Sequence, residues 1–140
     1  MNIVINYWAV AACMVSSVII GFAWYGPLFG KPWMKLSGIS MPDKKPSFLV
    51  MLKPIGISLL GALLMSLILG HWLVFSAVVL GVTGIKGGLQ GAFWLWLGLT
   101  VPVSVSVVAW EGKPWKLFLI HSGYWLVLLS VMSLILSRWG

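Results

Sequence analysis

The charged residues of this 140-residue chain are confined to a few narrow places, and the intervals between them are uncharged and apolar. Residues 1–30 carry no Asp, Glu, Lys or Arg, nor do 54–85, 87–110 and 117–137. A bilayer's hydrocarbon core is about 30 Å thick and a helix rises about 1.5 Å per residue, so about 20 apolar residues span it. Each interval is long enough. The chain is therefore expected to be all-α, an integral membrane bundle of four helices.

Composition argues against a soluble fold. Hydrophobic residues make up 61% of the chain, charged residues 8%, and the mean hydropathy is +1.06. Soluble domains carry about 25% charged residues. Four spans of about 22 residues use most of the length, which gives one transmembrane domain over residues 1–140. The net charge of +7 does not point to nucleic acid. The basic residues flank the hydrophobic stretches, the pattern of topology signals and of contacts with anionic lipid headgroups. The N-terminus lacks the basic region of a signal peptide, so the first helix is expected to be retained. Cys13 is the lone cysteine and lies in mid-span, where neither an internal disulfide nor a cysteine zinc site is available.

Hydropathy and turn residues place helix one at Ile3–Tyr25, helix two at Lys53–Trp72 or longer, helix three at Gly87–Trp110 and helix four at Trp115–Trp139. Residues 72–89 are ambiguous, being apolar yet rich in glycine. An extended outer loop, an extension of helix two and a re-entrant segment are all open to them, and an extension followed by a turn near Gly81–Gly84 is favoured. Within the long first connection, Gly26–Leu52, Trp33–Ser37 has room for one interfacial turn. The two connections after helices one and three hold Lys31, Lys35, Lys44, Lys45, Lys53, Lys113 and Lys116, while the opposite side holds Lys86 and Arg138. This asymmetry puts both basic connections in the cytoplasm and both termini outside. The expected location is thus a cytoplasmic (inner) membrane, with the lipid bilayer and its anionic headgroups as partners. Trp8, Trp72 and Trp139 are expected near the outer boundary, Trp24, Trp33, Trp110 and Trp115 near the inner one, and Trp94, Trp96 and Trp125 in packed positions.

Two further patterns stand out. Gly30-Lys31-Pro32-Trp33 reappears as Gly112-Lys113-Pro114-Trp115. A repeat after helices one and three suggests two related hairpins, with Lys31, Trp33, Lys113 and Trp115 holding the headgroup layer. Helix one also carries small residues at four-residue spacing, Ala9, Cys13, Ser17 and Gly21, and helix two carries Ser58, Ala62, Ser66 and Gly70. Residues four apart share a helix face, and small side chains let backbones approach closely. The two stripes are expected to face each other within the first hairpin; the alternative is self-association into a homo-oligomer.

The string Trp24-Tyr25-Gly26-Pro27-Leu28-Phe29-Gly30-Lys31, followed by Trp33-Met34, then Trp110-Glu111-Gly112-Lys113 and Gly123-Tyr124-Trp125, resembles a family of small bacterial membrane proteins. That family is known as domain of unknown function seventeen sixty-one. The resemblance implies a four-helix membrane protein and supplies no activity and no catalytic residues.

Few side chains can do chemistry. His71 and His121 are expected at opposite ends of the bundle, too far apart to share a metal or haem, and no metal or cofactor site is expected. Glu111 and His121 lie on one side of the membrane and form the candidate polar site, able in principle to relay protons or hold a cation. No Asp, Glu or Arg falls inside a span, which disfavours a proton-coupled antiporter with a membrane-centre carboxylate. The leading function is a binding, structural or accessory role in the membrane. A passive channel or facilitator for a small neutral or lipid-like solute is the alternative. An enzyme acting on lipid headgroups through Glu111, His121 and the loop lysines is the third.

Overall fold

The computed structural model describes residues 4–40 and 43–139. Among them the chain forms five helices and no strand: α1 (Tyr7–Leu28), α2 (Gly30–Ser37), α3 (Phe48–Val79), α4 (Gly84–Glu111) and α5 (Trp115–Trp139). All but α2 are long and apolar enough to cross a membrane. The fifth helix, α2, corrects the expected count: eight residues from Gly30 fold into two turns where one was expected. Its Pro32 lies in the first turn, where the missing N–H costs nothing.

The element ends have local causes. α1 starts at Tyr7; the expected start at Ile3 lies outside the described residues. The Asn6 side chain caps it by accepting from the Trp8 N–H at 3.0 Å. The same side chain donates to the Trp139 carbonyl at 2.6 Å, tying the start of α1 to the end of α5. α3 begins at Phe48, earlier than Lys53, and holds Pro54 in its second turn, where the missing N–H leaves the Val50 carbonyl without its helical donor. It continues past Trp72 to Val79 and stops before the left-handed glycines Gly81 (φ 66°) and Gly84 (φ 62°), as the extended-helix reading expects. Its 32 residues measure about 48 Å, longer than a hydrocarbon core.

Two helices contain a π-turn, which sequence periodicity does not reveal. α1 widens over Trp24–Leu28 around Pro27, and the Phe29 N–H bonds back five residues to the Trp24 carbonyl at 2.8 Å. α4 widens over Trp96–Thr100, just ahead of Pro102. A proline ring collides with the carbonyl four residues earlier, and for Pro102 that is Gly98, inside the widened turn. Each π-turn opens on a tryptophan that reaches α5. Trp24 Nε1 donates to the Ile120 carbonyl at 3.0 Å and Trp96 Nε1 to the Ser122 carbonyl at 2.8 Å.

α5 is the central helix, packing on α1, α3 and α4 and receiving α2 against its first turns. Leu69, Leu128 and Met132 fill the middle of the bundle, with Ala9, Val10, Cys13, Ala62 and Ala92 around them. The first half of α4 packs on both α3 and α5, whereas Val101–Glu111 packs chiefly on α5. Lys113 Nζ reaches the Ser37 carbonyl at 3.4 Å, so the connections before α3 and before α5 share one end of the bundle. Asn6 and Trp139 share the other.

The two copies of Gly-Lys-Pro-Trp differ in local structure. Gly30 opens α2 in a helical conformation, while Gly112 (φ 61°) ends α4 with a left-handed residue. The same tetrapeptide thus starts a helix in one copy and follows the end of one in the other. Gly112→Ala is expected to cost about 1 kcal/mol, since a Cβ disfavours the left-handed region, and Gly112→Asn less. Thermal unfolding in a mild detergent checks this; equal melting of the alanine variant would mean that the cap is not formed.

Several tryptophans depart from expectation. Trp94 is 55% exposed instead of packed. Trp72 lies over Gly91 and donates Nε1 to the Gly87 carbonyl at 3.3 Å, so it fills the α3–α4 contact.

Candidate functional vestibule at the basic end

Where Val101–Glu111 departs from α3, a cavity of about 450 Å³ opens between α2, this half of α4 and the start of α5. That volume suits a small ligand or part of a larger one. Glu111, Lys113 and Ser37 lie at its polar end. Val103, Val107 and Phe118 supply apolar wall, and His121, Trp33 and Trp125 complete the lining.

Helix periodicity builds these walls. Val103, Val107 and Glu111 recur every four residues on α4, and Phe118, His121 and Trp125 recur at three and four on α5. The α4 stripe is thus apolar towards the middle of the helix and acidic at its end. Val103 is 66% and Val107 45% exposed, so the cavity opens sideways as well as at the end.

Glu111 and His121, paired by the sequence, do line the same cavity. The partner of His121 is another residue, however: its Nδ1 stands 2.6 Å from the Tyr25 hydroxyl. If Tyr25 donates, Nε2 carries the imidazole proton and is a donor; the reverse tautomer makes it an acceptor. Tyr25 is held in turn by an edge-on contact with Trp33 (centroids 5.0 Å apart) and by Tyr124 at 5.2 Å. Sequence reasoning passed over Tyr25 because 96 residues separate it from His121. Ser37 was missed too: its Oγ is buried with no hydrogen-bond partner among the described residues.

The remaining singled-out residues are dispersed. Lys31 is exposed on α2, and Trp115 is exposed with its ring edge-on to Phe118. His71 bonds the Leu67 carbonyl within α3 at 2.7 Å, away from the vestibule. Among the described residues, no three His, Cys, Asp or Glu side chains converge on a point where a metal could sit.

In the small-residue stripes, Ala9, Cys13, Ser17, Ala62, Ser66 and Gly70 are buried, Gly21 is half-buried, and Ser58 is exposed. α1 and α3 do pack together, and two members of the first stripe also have neighbours on α5. Cys13 Sγ lies 3.6 Å from the Met132 carbonyl, and a Cβ on Gly21 would meet the Tyr124 hydroxyl at 3.5 Å, so both turn towards α5. Gly70 instead abuts Ile5. Ser17 and Ser66 bond the carbonyls of Met14 and Leu63 in their own helices, which leaves them no need of a ligand.

The family model described as "Protein of unknown function (DUF1761)" matches residues 8–137. No curated protein and no solved structure matches the chain.

Proposed function

The chain belongs to this family of unknown function, and from that premise we propose that it is a four-span integral membrane protein with a binding or accessory role, exercised at the vestibule. The four long apolar helices support membrane insertion. The lysine asymmetry supports a cytoplasmic membrane, with the vestibule end inside the cell and both termini outside.

One observation carries the binding role. The cavity combines a laterally open apolar wall with a polar end holding Glu111 and Lys113, which suits an amphiphile with its tail in the bilayer interior and its head at the interface. A monomeric channel finds less support, because Leu69, Leu128 and Met132 fill the bundle axis. An enzyme acting on headgroups finds less again, with Glu111 exposed and His121 engaged by Tyr25.

The test is native mass spectrometry of the protein released from a mild detergent, which also reports its oligomeric state. The wild type is expected to carry a lipid-sized mass. Val107→Trp, which fills the vestibule, is expected to lose it without a change in melting temperature. Equal retention by the two proteins would overturn the binding role.

A further inference from the structure

We propose that the vestibule selects a phospholipid whose head carries both a phosphate and a primary ammonium, an ethanolamine-type lipid, over one whose head is only anionic. This rests on the amphiphile-binding reading above and names the ligand.

The argument begins with the charges. Glu111 is the only glutamate in the chain, and it lines this cavity with Lys113 two residues away. Between them Gly112, left-handed at φ 61°, turns the chain back at the end of α4. A carboxylate and an ammonium thus line the rim of one cavity. A second cavity, of about 210 Å³ at the opposite end, has no charged side chain in its lining.

Lys113 is available for a ligand. Its contact to the Ser37 carbonyl, at 3.4 Å, is long for a hydrogen bond, so a phosphate oxygen is the better acceptor. The buried, unpartnered Ser37 hydroxyl lines the same end and offers a second donor. A phosphate there would stand near the Glu111 carboxylate. A purely anionic head leaves that carboxylate unpaired beside a second negative charge, whereas an ammonium a few bonds from the phosphate pairs with it. From this polar end an acyl chain can run along Val107 and Val103 on α4 and over Phe118 on α5. The distance from Glu111 back to Val103 is about 12 Å of helix.

The experiment uses the full-length protein, delipidated in mild detergent and titrated with palmitoyl-oleoyl phosphatidylethanolamine or phosphatidylglycerol, with bound lipid counted by native mass spectrometry. The wild type is expected to bind the ethanolamine lipid about tenfold more tightly, the scale of one charge-assisted hydrogen bond. Glu111→Gln is expected to bring the two affinities to within about twofold, and Lys113→Gln to weaken both about tenfold. Both positions lie at a solvated end, and melting temperatures confirm that the variants fold. Lys86→Gln, at the opposite end of the bundle, is the charge control and should change neither affinity.

Equal affinity for the two lipids, a preference for the glycerol lipid, or a preference that survives Glu111→Gln would overturn the proposal while leaving amphiphile binding intact. Equal weakening by Lys86→Gln and Lys113→Gln would overturn it as general charge attraction. Binding that does not saturate, or that Val107→Trp does not remove, would overturn the vestibule reading itself.

Discussion

Gly88→Val is expected to loosen the bundle at its main interface and to lower its stability by about 3 kcal/mol, the upper part of the usual overpacking range. Gly88 is buried on α4 against α5, and a Cβ there would stand 3.0 Å from the Ser133 carbonyl oxygen and 3.3 Å from the Ser133 Cβ. The obstacle is backbone in the middle of a helix, so it cannot swing aside as a side chain would. The two helices must separate, and Ala92, Leu129 and Met132 lose contacts with them. Gly61→Ala is the matched comparison, since a Cβ at that position in α3 meets nothing within 4 Å. Alanine there is expected to be neutral or to stabilise by up to about 1 kcal/mol through helix propensity. Thermal unfolding in one detergent measures both. A Gly88→Val protein that melts with the wild type would show that α4 and α5 are not in the contact described.

Trp24→Ala is expected to have a comparable effect, about 3 kcal/mol, the cost of removing a large packed aromatic. The indole packs against Phe29 with tilted rings 4.6 Å apart, lies 6.4 Å from Tyr124 and donates to the Ile120 carbonyl. It fits because residue 123 is glycine, where a Cβ would approach the ring to 3.2 Å. Trp24→Phe keeps most of the packing and loses the hydrogen bond, for about 1 kcal/mol. Gly123→Leu is expected to destabilise on its own but to do less harm in the Trp24→Ala background, where space has been made. Additive effects in that double-mutant cycle would mean that the ring and residue 123 do not touch.

These two predictions involve residues that the sequence exposed unequally. Gly88 belongs to a recognisable run of glycines, and a stripe of small residues already signals close approach, though not which helix approaches. Trp24 read as an interfacial anchor, since a tryptophan at the end of a span usually is one. Only the fold shows its indole turned inward onto α5. The same holds for Trp72, and in the opposite sense for Trp94, expected to be packed and found exposed. Apolar residues are acceptable on both the inner and outer faces of such a helix, so hydropathy alone cannot sort one face from the other.

By itself the sequence determined the all-helical class, four long apolar helices, the end of α3 at the glycine turn, the bounds of α5 and the end of the bundle that gathers the lysines. Each of these depends on quantities read along the chain: length without charge, a breaker at a given position, a count of basic residues. The tertiary structure decided the rest. It placed the π-turns at Trp24 and Trp96, joined Tyr25 to His121 across 96 residues, turned Cys13 and Gly21 towards α5, and parted the end of α4 from α3 to open a cavity beside Glu111 and Lys113. Those outcomes depend on which faces meet when five helices pack at once, a property of the whole bundle that no single stretch of the chain encodes.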